Sequence, residues 1–231
     1  MCCALQMSAQ RTVYVNTMQG NDLSKYDQQT VNVTSFRVVF QGWNTICLPF
    51  GMTEAELNAT FGNDCRLETL TDVRVNGTEQ TLVFGDVKAQ GLEAGKPYIL
   101  WYGGESNYVT IRLQGKQLTT EQHPIHIGAI TFSGIAEQTE GTGRYGILAR
   151  DNATAQFVSV GGTVNGFFAT RCAIDNDLQG NLLTVHGDAT GVASLSTVNG
   201  GQQTAAFNLA GQRVGADHRG ITVQDGHKVL R

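Results

Sequence analysis

The stretch that decides the fold is Tyr98-Ile-Leu-Trp-Tyr-Gly-Gly-Glu-Ser-Asn-Tyr-Val-Thr-Ile-Arg-Leu113. An apolar run of strand length meets a Gly103-Gly104 turn signal and is followed by strict alternation, in which Val109, Ile111 and Leu113 share one side and Tyr108, Thr110 and Arg112 the other. Period-2 patterning bounded by glycines is the signature of paired strands. The same grammar recurs outward in both directions, at Val31-Asn-Val33, Phe36-Arg-Val38-Val-Phe40, Ile46-Cys-Leu48, Leu82-Val-Phe84, Ile125-His-Ile127, Ile130-Thr-Phe132, Tyr145-Gly-Ile147 and Phe157-Val-Ser-Val160. Asn76-Gly77, Asp151-Asn152 and Gly161-Gly162 punctuate it. The expected class is therefore all-β, an antiparallel β-sandwich with the jelly roll among its forms. One short helix is expected over Thr53 to Phe61, where Thr53 and Glu56 have capping-box spacing and Gly62 is the stop. Asp225-Gly226, set between Ile221-Thr-Val223 and Lys228-Val-Leu230, predicts a small C-terminal hairpin.

Composition agrees. The 231 residues include 28 Gly and only 3 Pro, with 41% hydrophobic and 16% charged, a balance that can bury a core. A net charge of -4 removes the electrostatic basis for general nucleic-acid or anionic-membrane binding, which needs clustered Lys and Arg. No window approaches the roughly 20 apolar residues of a bilayer-spanning helix.

Residues 1–9 are uncharged and close on the small pair Ser8-Ala9, which reads as the remnant of a signal peptide with Gln10 as the mature N-terminus. The expected organisation is then a sandwich over residues 10–180, a glycine-interrupted linker-like boundary over 181–204, and a C-terminal hairpin segment over 205–231. Beyond the leader, Cys47, Cys65 and Cys172 are odd in number and form no CxxC, so at most one disulfide can exist. Cys47 and Cys172 lie in apolar runs, where a free thiol acts as a small hydrophobe.

Candidate chemistry is sparse. Gly141-Thr-Gly143-Arg-Tyr-Gly146 spells the dinucleotide fingerprint but lacks the surrounding strand and helix that make it bind a pyrophosphate. Asp175 and Asp177, with Gly180, resemble the start of a calcium loop, although Gln179 and His186 stand at the fifth and twelfth positions. His123 and His126 are three apart, which in a strand sends them to opposite faces. No nucleophile elbow, HExxH or Cys/His pair is present, so a non-catalytic protein without cofactor is expected. The remaining lead is aromatic: Trp101, Tyr102 and Tyr108 flank one turn, as in platforms that stack on sugars. Alternation sends Trp101 and Tyr102 to opposite faces and so places one of them in the core.

Two groups of segments carry a family resemblance. Gly42-Trp-Asn-Thr-Ile-Cys-Leu-Pro-Phe-Gly51, followed by Glu93-Ala-Gly-Lys-Pro-Tyr-Ile-Leu100, resembles a β domain of secreted and surface proteins of Bacteroidetes bacteria. The tail, Phe207-Asn-Leu-Ala-Gly-Gln-Arg-Val214 with Arg219-Gly-Ile-Thr-Val223 and His227-Lys-Val-Leu-Arg231, resembles the type IX secretion sorting segment of that class, with Asn208, Gly211, Gly220 and Lys228 as its marking positions. The resemblance implies a secreted or outer-surface protein whose tail meets secretion or surface-anchoring machinery. For such a protein a scaffold, adhesion or glycan-contact role is expected. An accessory carbohydrate-binding module of a carbohydrate-active system is the alternative, and a glycoside hydrolase a more distant one.

Overall fold

The computed structural model describes residues 10–77, 79–148, 155–159 and 167–176, together with strands at 181–186, 206–208, 213–214, 221–224 and 227–230. It divides into two units, Met1–Gly191 and Val192–Arg231.

In the first unit the strands are β1 (Thr12–Asn16), β2 (Thr30–Val38), β3 (Gly42–Ile46), β4 (Arg66–Asn76), β5 (Glu79–Asp86), β6 (Tyr98–Tyr102), β7 (Tyr108–Gln117), β8 (Ile125–Ile127), β9 (Ile130–Gly134), β10 (Tyr145–Leu148), β11 (Gln156–Ser159), β12 (Cys172–Asn176) and β13 (Asn181–His186). They form three sheets, ordered β1-β2-β7, β13-β5-β4-β6-β3 and β11-β10-β12-β9-β8. The pairing is antiparallel except for two edge strands, β1 on β2 and β13 on β5.

The second sheet is the middle layer of an all-β sandwich. Tyr98, Leu100 and Tyr102 of β6 join a core with Val31 and Val33 of β2 and Ile111 of β7, whereas the intervening Ile99 and Trp101 join a second core with Phe132 of β9 and Ile174 of β12. A strand buried on both faces reads as a continuous apolar run. Edge-to-face and stacked contacts among Phe84, Phe132 and Phe157, with centroids 5.7–6.1 Å apart, fill the second core.

Helix α1 (Glu54–Phe61) lies where the Thr53/Glu56 spacing predicts it, and both halves of the capping box are made. Gly62 ends it at φ 97, a conformation that costs a residue with a Cβ. Leu57 and Phe61 enter the first core, and Lys116 of β7 reaches Glu56 at 2.6 Å.

Residues 181–186, at the start of the segment read as linker-like, form β13 in register from Asn181↔Glu79 to His186↔Phe84. An open edge of β5 would otherwise leave a row of backbone donors and acceptors unpaired, and an extended segment satisfies it despite flanking glycines. Residues 1–9 and 187–204 lie outside the described residues. Among the described residues no helix is long and apolar enough to cross a membrane.

In the second unit, β14 (Ala206–Asn208), β15 (Arg213–Val214), β16 (Ile221–Gln224) and β17 (His227–Leu230) form an antiparallel sheet ordered β15-β14-β16-β17. Gln224 pairs with His227, so β16 and β17 are the arms of a hairpin connected through Asp225 and Gly226, as the sequence predicts.

Candidate functional site

In the β1-β2-β7 sheet the inward positions are mostly aliphatic: Val13, Val15, Val31, Val33, Val109 and Ile111 are buried, joined at the end of β2 by Ser35 and Arg37. The outward positions ought to be polar, and three are aromatic. Tyr14 is 56% exposed, Phe36 46% and Tyr108 52%. The register sets Tyr14 beside Thr34, Phe36 beside Asn16 and Thr110, and Tyr108 beside Val38, so the rings climb diagonally across three strands. Phe36 and Tyr108 stack at 5.0 Å with planes 20° apart. The Ser106 hydroxyl fixes the start of β7 by donating to the Tyr108 carbonyl and accepting from its amide. Around the rings stand Asn16, Thr34, Thr110 and Arg112. No Asp or Glu occurs anywhere in the three strands.

Past the end of β2 the aromatic surface continues. Phe40, 50% exposed, is held at both backbone groups by the buried Asn44 amide, which accepts from its N–H at 2.9 Å and donates to its carbonyl at 2.7 Å. The Arg171 guanidinium lies 5.7 Å from the Phe40 ring and 5.8 Å from that of Phe168, and donates to the Val38 carbonyl. Met18, also exposed, accepts at its carbonyl from the amide of Ala169. Among the described residues, six of the seven large apolar side chains that stand exposed (Tyr14, Met18, Phe36, Phe40, Tyr108, Phe168; Val75 is the other) therefore belong to this sheet and the turns beside it. A clustered apolar patch of this kind marks an interaction surface.

Behind the patch, Arg37 is fully buried. It donates to the carbonyl and hydroxyl of Thr170 and to the Thr45 carbonyl. Burial, with the Arg171 charge nearby, holds its guanidinium down to about 9, which leaves it charged at neutral pH.

The sequence-predicted platform is rearranged. Trp101 and Tyr102 are both buried, at 8% and 6% exposure, because β6 lies between two other layers. Trp101 packs edge-on against Trp43 at 5.7 Å, with the Arg66 guanidinium over both rings. Tyr108 alone of the three faces outward. The signal for its true companions was present: in Thr12-Val-Tyr14-Val-Asn16 and Val31-Asn-Val-Thr-Ser-Phe36, each aromatic falls on the polar side of the alternation, where packing does not require it.

Asp175 spends both carboxylate oxygens on Arg144, at 2.7 and 2.9 Å, and Asp177 and Gly180 lie outside the described residues. His126 faces Thr131, His123 is a separate exposed side chain near Glu121, and among the described residues no group of three ligating side chains could hold a metal. The Gly141 segment is followed by strand β10 where a nucleotide site would need a helix. Cys47, Cys65 and Cys172 are free and buried; burial pushes the Cys47 thiol up to about 12 and raises the other two, the state of inert thiols. A cavity of about 80 Å³ touches Cys47, Val15, Pro49 and Gln122. Ligand sites usually offer about 300 Å³ or more, so it is too small for a sugar. Of the sorting-like positions, Asn208 lies on β14 and Lys228 on β17, and Gly211 and Gly220 lie outside the described residues. Comparison with protein-family models, curated proteins and solved structures finds no match to this chain.

Proposed function

We propose that this chain is a non-catalytic, secreted or cell-surface β module that contacts glycans through the outer face of the β1-β2-β7 sheet. One observation carries the reading: the diagonal of Tyr14, Phe36 and Tyr108 stands exposed among Asn, Thr and Arg side chains. A sugar ring presents an apolar C–H face and a rim of hydroxyls, and this surface offers rings for the first and amide, hydroxyl and guanidinium groups for the second. The address at the cell surface rests on the Bacteroidetes-type motifs and the sorting-like tail, whose partner would be the secretion or surface-anchoring machinery. An accessory module of a carbohydrate-active system uses the same face and differs in what it is attached to.

The test is a glycan array probed with the full chain, beside Phe36→Ala and Tyr108→Ala. Binding that falls in both variants, with their melting temperatures within a few degrees of the parent, is the expected result. Silence across the array, or binding indifferent to both substitutions, would remove the glycan role from this face.

A further inference from the structure

The aromatic face ends in a cation with no counterion among the described residues. Among the described residues Arg171 makes no ion pair, and its side chain donates one hydrogen bond, to the Val38 carbonyl. A guanidinium carries five N–H donors in a planar fork that matches a carboxylate two by two. We propose that Arg171, clamped between Phe40 and Phe168, is the subsite for the carboxylate of an acidic sugar unit, so that the glycans bound by this face are uronates. The inference rests on the glycan-contact reading and adds the class of glycan.

Three further observations support it. The first is charge placement: in a chain of net charge -4, the strands that form the face contain no acid, and Arg112 stands exposed on its outer side. The second lies beneath the clamp. Arg37 is 2% exposed, forms no ion pair with a described residue, and has its Nε without a hydrogen-bond partner. Two neighbouring guanidiniums, Arg37 buried and Arg171 partly so, with no counterion among the described residues, are unfavourable by desolvation and by mutual repulsion. A bound carboxylate would compensate both.

The third is backbone strain. Thr170 sits at φ 63, in the left-handed region that a β-branched residue avoids. The conformation is over-determined. Arg37 grips the Thr170 carbonyl and hydroxyl, the Cys47 amide donates to the same carbonyl, and the Thr170 amide donates to Ile135. What the strained residue achieves is a tight turn in which the Arg171 amide donates back to the Phe168 carbonyl, bringing the second ring and the guanidinium onto one surface. Arg37 is thus a positioning residue for Arg171.

The experiment measures binding of the full chain to polygalacturonate, alginate and hyaluronate, each beside its methyl ester, which keeps the sugar and removes the charge. We expect at least one uronate to bind about tenfold or more tightly than its ester at low salt, with the gap closing as salt rises. Arg171→Gln should bind acid and ester alike, and Phe168→Ala should narrow the gap. Phe36→Ala should weaken both forms in proportion, and melting temperatures confirm that each variant is folded. Equal binding of acid and ester by the parent, or a preference that survives in Arg171→Gln, would overturn the carboxylate subsite and leave the glycan face standing. Absence of binding to every glycan, neutral ones included, would overturn both.

Discussion

Gly134, the last residue of β9, meets the segment that follows β3. A methyl group built on it would lie 2.3 Å from the Cys47 Sγ, 2.9 Å from the Cys47 Cβ and 2.6 Å from the Gln122 Oε1. Gln122 is exposed and can swing away, but Cys47 is 4% exposed. Non-bonded heavy atoms settle near 3.5–4.0 Å, so in Gly134→Ala the sulfur must retreat by about 1 Å, toward the small cavity beside it. Overpacking of this kind costs about 1–3 kcal/mol. Cys47→Ala alone removes one buried sulfur at about 1 kcal/mol. In the double variant the methyl takes the place the sulfur left, with only the Cβ contact still tight. It should therefore be about 1–2 kcal/mol more stable than the two single costs add up to. Urea unfolding followed by the fluorescence of Trp43 and Trp101, both in the core shared by these layers, supplies the four free energies of the cycle. Costs that add within about 0.5 kcal/mol would refute the packing of the outer sheet on the middle one.

Four further outcomes follow from particular contacts. Burial works against the Glu56 charge, but Lys116 and the Thr53 cap outweigh it and hold the carboxyl below its ordinary 4.5. The folded value is depressed, so the stabilisation is present above pH 4.5 and lost as pH falls through the folded value; Glu56→Gln should cost about 1 kcal/mol at pH 7 and flatten that acid limb in urea titrations, and an unchanged limb would count against it. Trp43→Ala should cost about 3–5 kcal/mol, whereas Tyr14→Ala, at an exposed ring, should cost under about 1 kcal/mol; equal midpoints would contradict the layering. Added calcium should leave the melting temperature unchanged, because Asp175 is committed to Arg144, and a rise abolished by Asp175→Asn would reverse that. Mass mapping after alkylation at pH 8 should find Cys47, Cys65 and Cys172 unmodified until urea unfolds the chain; rapid labelling of Cys47 in the native state would show an open thiol.

Much of the local structure was legible from residues alone. The Thr53-x-x-Glu56 cap and Gly62 stop mark the helix, Asp225-Gly226 marks the last hairpin, and the alternation in β2 and β7 marks which side chains face inward. These features depend on neighbours within a few positions, and a sequence displays such neighbours directly. The candidate site is half legible, since the sequence marks Tyr108 but sets it beside Trp101 and Tyr102, its neighbours in the chain.

Layering belongs to the tertiary structure. Whether Trp101 and Tyr102 are exposed depends on how many sheets cover β6, and alternation distinguishes the faces of a strand without revealing that both are covered. Phe36 and Tyr108 meet across a ladder between residues 72 positions apart, and Arg171 reaches Phe40 from 131 positions away. Sequence determined the pieces because backbone preference and side-chain periodicity are local. The fold alone decided which aromatics were left for solvent and which arginine was placed among them, because burial is a property of what another part of the chain happens to cover.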